Sequence, residues 1–74
     1  MVNKYLEIYK RIGENLKRER QKANLTQKQL AEKTSKLDNS KISDIENAKE
    51  DYMMSTLLEL SKALEIDIER LICK

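Results

Sequence analysis

Asp38-Asn39-Ser40-Lys41 places a carboxylate, an amide, a hydroxyl and an ammonium in consecutive positions, just ahead of Ile42 and Ile45. Such groups form hydrogen bonds and ion pairs. None is a nucleophile with a base beside it. The 74 residues include no histidine, a single cysteine (Cys73) and a single glycine (Gly13). That removes the imidazole of general acid–base catalysis, the Cys/His set of a zinc site and the glycine loop that cradles phosphate. The available chemistry is recognition, so no enzymatic activity, metal, cofactor or small-molecule ligand is expected.

These residues stand where a helix should begin. Asp38 is a good N-cap, with Leu37 and Ile42 at the positions of a hydrophobic staple. Thr26-Gln27-Lys28-Gln29 fits a capping box, bracketed by Leu25 and Leu30, and Asp67 repeats the pattern with Ile66 and Leu71. Apolar spacing supplies the helix bodies. Ile8, Ile12 and Leu16 predict a first helix from about Tyr5 to Lys22. A second spans about 27–33 and a third about 39–47. A fourth carries Leu57, Leu60 and Leu64, starting at Met53 or at the capping-box match Thr56-Leu57-Leu58-Glu59. Ile68, Leu71 and Ile72 mark a fifth. The expected fold is all-α, five helices in one domain over 1–74.

A short helix, a tight polar turn and a helix with a polar start and an apolar back make the helix-turn-helix layout. In it one helix rests across the DNA backbone and the next presents its N-terminal residues to the major groove. Asn39, Ser40 and Lys41 would then meet base edges and phosphates, while Ile42 and Ile45 hold the helix to the body. An asparagine can read adenine through paired hydrogen bonds; a serine hydroxyl is less selective. The charge distribution agrees with a polyanionic partner on one side. Residues 1–49 carry 12 Lys/Arg against 7 Asp/Glu, and residues 50–74 carry 3 against 6. Lys10, Arg11, Lys17, Arg18 and Lys22 on the first helix read as a solvated face. No apolar run approaches the roughly 18 residues of a membrane span, and MVNKYLEIYK lacks a signal-peptide core. A cytoplasmic protein without disulfides is expected.

Across LKRERQKANLTQKQLAEKT, then ISDIENAK, then STLLELSKALEIDIERLI, the chain resembles the Xre-type, phage-repressor (lambda repressor-like, Cro-like) helix-turn-helix family. The family pattern runs T-Q-x-x-L-A, I-S-x-I-E-x-G and L-x-x-[IL]-A-x-x-L, and the likeness covers about Ile12 to Ile72. It implies a small prokaryotic or phage-type transcriptional regulator that binds double-stranded DNA, as a homodimer on an inverted repeat. It also implies particular roles. Gln27, Asn47 and Lys49 fall at phosphate contacts; Asn39, Ser40 and Asp44 fall at base-reading positions; Arg20 and Glu46 match an ion pair tying the first helix to the third. Asp44 could instead pair with Lys41. The sequence departs from the pattern in three places. Ser35-Lys36 replace the glycine of the turn, which is one residue longer; Ala48 replaces a later glycine; Tyr52 replaces a proline. Tyr52, Met53 and Met54 either cap the core or, with Leu71 and Ile72, form a dimer face. An antitoxin-like module that neutralises a protein partner is the main alternative; an N-terminal DNA-binding domain of a longer regulator is another.

Overall fold

The computed structural model describes residues 5–49 and 51–73. Among them it contains α1 (Leu6–Lys22), α2 (Gln27–Glu32), α3 (Asn39–Glu46), α4 (Met54–Leu64) and α5 (Glu69–Ile72), with no strand. Leu16, Leu30, Ile42, Ile45, Leu60 and Leu71 are wholly removed from water and form one core to which every helix contributes. Leu25, Leu37 and Ile66, placed at the staple positions, pack against it.

The two caps around the central helix pair follow their residue types. The Thr26 hydroxyl accepts the Gln29 amide at 3.0 Å while Gln29 Oε1 accepts the Thr26 amide at 2.9 Å, closing the capping box. Asp38 accepts the Lys41 amide at 2.8 Å. Asp67 does not repeat the arrangement: α5 begins one residue later, with Ile68 at the N-cap position and no side-chain cap. The fourth helix takes the earlier of its two starts, with Met53 as N-cap and Thr56 inside the first turn. The apolar spacing places Ile8 on the same face of α1 as Ile12 and Leu16, yet it is about half exposed, and full burial on this helix begins at Ile12.

Helix α1 crosses α3 at Gly13, and the crossing needs a glycine. A Cβ there would lie 2.5 Å from the Glu46 carbonyl oxygen and 2.7 Å from that of Ile45, closer than any side chain tolerates. The last turn of α3 therefore rests directly on the backbone of α1. Asn15, buried two residues on, donates Nδ2 to the Leu71 carbonyl oxygen at 2.9 Å and also to that of Cys73, fastening α5 to α1.

Three helices end on a left-handed residue, and none of the three is glycine: Asn24 (φ 61°), Ala48 (φ 56°) and Glu65 (φ 58°). Each closes a Schellman motif. Leu25 N–H reaches the Arg20 carbonyl, Lys49 N–H that of Asp44, and Ile66 N–H that of Ser61, at 2.9–3.1 Å.

Candidate nucleic-acid interface

Helix α3 has two unlike sides. Ile42 and Ile45 are fully buried, and Asn39 and Ser40 at its start are exposed, with side chains that make no hydrogen bond among the described residues. Lys41 and Asp44 are partly exposed. The polar start is thus held outward by its own apolar back. The Asp38 cap fixes the first turn through the backbone, and the amide of Asn39 and the hydroxyl of Ser40 stay unengaged among the described residues.

The end of α3 is fixed by a buried carboxylate. Arg20 donates Nε to Glu46 Oε2 at 2.7 Å and Nη2 to Oε1 at 3.2 Å, and its Nη1 bonds the Leu25 carbonyl oxygen at 2.8 Å. The two side chains are 11% and 3% exposed. Gln27 Nε2 donates to the same Glu46 Oε1 at 3.0 Å. One carboxylate therefore gathers α1, α2 and α3. Gln27 is only partly buried at the start of α2. An amide nitrogen carries two hydrogens, so after bracing Glu46 it retains one for an outside acceptor.

Asn47 caps α3, donating Nδ2 to the Ser43 carbonyl oxygen at 2.8 Å, and Lys49 is exposed just beyond. The basic side chains of α1 (Lys10, Arg11, Lys17, Arg18 and Lys22) all lie on the surface.

The expected dimer face is not brought together. Leu71 is a fully buried core residue and cannot take part, because α5 turns it inward against α1; Ile72 is half-buried. Tyr52 packs edge-on against Tyr9, ring centroids 5.4 Å apart, and faces the core. Met53 and Met54 are 73% and 58% exposed. With Met54, the exposed Tyr5 and Ile8 border an apolar groove floored by Ile12 and Leu57. The Tyr52 hydroxyl is buried with no partner among the described residues, and desolvation pushes its pKa up to about 12. The Tyr9 hydroxyl is raised as well, first by its hydrogen bond to Asp51.

The turn between α2 and α3 holds a contact that sequence patterns did not signal. Glu59 on α4, read as the partner of a Thr56 cap, instead accepts from Ser35 at both the amide (2.9 Å) and the hydroxyl (2.8 Å). These bonds, more than the flanking Lys36 and Lys62, hold its carboxyl below the usual range. No helix among the described residues is long and apolar enough to cross a membrane, and no cluster there could hold a metal ion.

A helix-turn-helix family model matches residues 16–71, from the middle of α1 into α5. Neither a curated protein nor a solved structure gives a significant match.

Proposed function

From the premise that the chain belongs to the lambda repressor-like helix-turn-helix family, and is therefore a DNA-binding regulator of all-α fold, we propose that it reads the major groove with the start of α3. Asn39 and Ser40 make the base contacts, Lys41 bridges base edge and phosphate, and Gln27, Asn47 and Lys49 fix register on the backbone. Asp44 is acidic and contributes only where it can accept from a cytosine amino group. The observation that carries this reading is the exposed pair Asn39 and Ser40, unpartnered among the described residues, on a helix whose opposite face is fully buried.

Two copies bind an inverted repeat whose half-site centres lie about one helical turn apart, roughly 34 Å. The exposed apolar side chains Met53 and Met54, with Tyr5 and Ile8, supply the surface for that pairing. A net charge of +2 makes nonspecific attraction modest, so specific contacts must supply much of the affinity, and binding falls with salt through counterion release.

Selection from a randomised duplex library near physiological salt tests the reading. An enriched inverted repeat with one-turn spacing is expected. A single half-site would refute the dimer, and no enrichment at any salt would refute sequence reading by α3. On the selected site, Asn39→Ala should relax preference at one base pair, by about 1–3 kcal/mol of discrimination. Lys49→Ala should weaken all sequences alike and reduce the salt slope by about one.

A further inference from the structure

We propose that Glu59 is a positioning residue for DNA reading: from α4 it holds the turn between α2 and α3, and thereby sets the angle at which α3 meets the groove. The inference rests on the DNA-reading role of α3 given above.

The turn lacks the device that ends α1, α3 and α4. Among the described residues, left-handed backbone occurs only at Asn24, Ala48 and Glu65, so nothing between α2 and α3 forms a Schellman closure. Side chains close the turn instead. Thr34 Oγ1 donates to the Ala31 carbonyl oxygen at 2.7 Å and accepts the Leu37 amide at 3.2 Å. Both the N–H and the O–H of Ser35 go to a single oxygen, Glu59 Oε2. The contact lies at the surface, and sharing one charged acceptor makes its two bonds stronger than neutral ones would be there. Glu59 precedes Leu60, which is fully buried in the core, so the carboxylate stands on a fixed frame. Three residues beyond Ser35, Asp38 caps the start of α3. A turn one residue longer than the family pattern has more freedom, and this contact removes it from outside the helix pair.

A tilt of α3 would spoil directional base contacts while leaving phosphate attraction nearly intact. On a selected operator, Glu59→Ala should therefore lose about tenfold in affinity. On random duplex it should lose nothing, since removing a negative charge cannot weaken attraction to DNA. Ser35→Ala keeps the amide bond and should lose less. Glu59→Gln keeps an acceptor without the charge and should retain most of the operator preference. In the free protein, Glu59→Ala should speed amide exchange at Ser35 and shift the amide resonances of Asn39, Ser40 and Lys41. All variants are compared where circular dichroism shows them folded; if Glu59→Ala does not fold, Ser35→Ala and Glu59→Gln carry the comparison. An unchanged operator-to-random ratio, or resonance shifts confined to residues 33–36, would overturn the proposal. If the unaltered protein selects no operator, the DNA-reading role fails instead, and the resonances of 39–41 still decide whether Glu59 orients α3.

Discussion

Glu46 accepts from Arg20 and from Gln27 with a side chain that is 3% exposed. Removing one partner of a buried pair leaves the other charge stranded, a cost of about 3–5 kcal/mol against 1 or less for an exposed pair. Glu46→Ala should therefore lower the melting temperature by about 12 °C or more, given about 4–8 °C per kcal/mol for a chain of this size. Calorimetry that finds a change under 3 °C would mean the pair is solvated. Gly13→Ala sets two effects against each other. Alanine favours a helix interior by about 1 kcal/mol, but its Cβ would meet two carbonyl oxygens under 3 Å away. Forcing α1 off α3 costs about 1–3 kcal/mol, so net destabilisation is expected. Tyr52→Phe should raise the melting temperature by a few degrees, because it deletes a buried hydroxyl that has no partner among the described residues. It should also flatten the alkaline limb. A tyrosine whose folded pKa lies above 10.0 contributes stability that is whole below pH 10 and declines as pH rises toward about 12. Denaturant melts between those values check both parts.

At the scale of the helix, capping residues announced the central pair. Thr26, Gln29, Asp38 and their flanking apolar residues carry local rules, so α2 and α3 were legible almost to the residue. Asp38→Ala should cost about 1 kcal/mol and fray the first turn of α3, visible as faster amide exchange at Lys41. The fifth helix was less legible. Asp67 has the right type and spacing for a cap, but four residues of helix are held by tertiary contacts, with Asn15 gripping the far end. Nor does a sequence announce that a glycine within a helix marks a crossing, or that Glu59 reaches across to Ser35. Those contacts join residues far apart in the chain, where no spacing rule applies.

For the whole molecule, the pattern of apolar residues specified the core, while the surface divided less cleanly. Asn39 and Ser40 stand exposed at the start of α3, but the proposed pairing face lost Leu71 to the core, since a leucine carries no mark of which side of a short helix it will occupy. Pairing through the remaining exposed residues makes a prediction at this scale. Met54→Glu should shift sedimentation toward the monomer and weaken binding to an inverted repeat more than to an isolated half-site. Equal effects on both targets would mean that Met54 lies outside the pairing surface.

The left-handed exits of α1, α3 and α4 leave this domain with reserve that selection has not taken up. A left-handed backbone costs a residue other than glycine or asparagine roughly 1–2 kcal/mol, so Ala48 and the exposed Glu65 each hold strain that a glycine would release. Offset by the greater freedom of glycine in the unfolded chain, Glu65→Gly should still add several degrees to the melting temperature. Glu65 is not among the residues proposed to touch DNA, which makes that variant a sturdier host in which damaging substitutions such as Glu46→Ala can be studied.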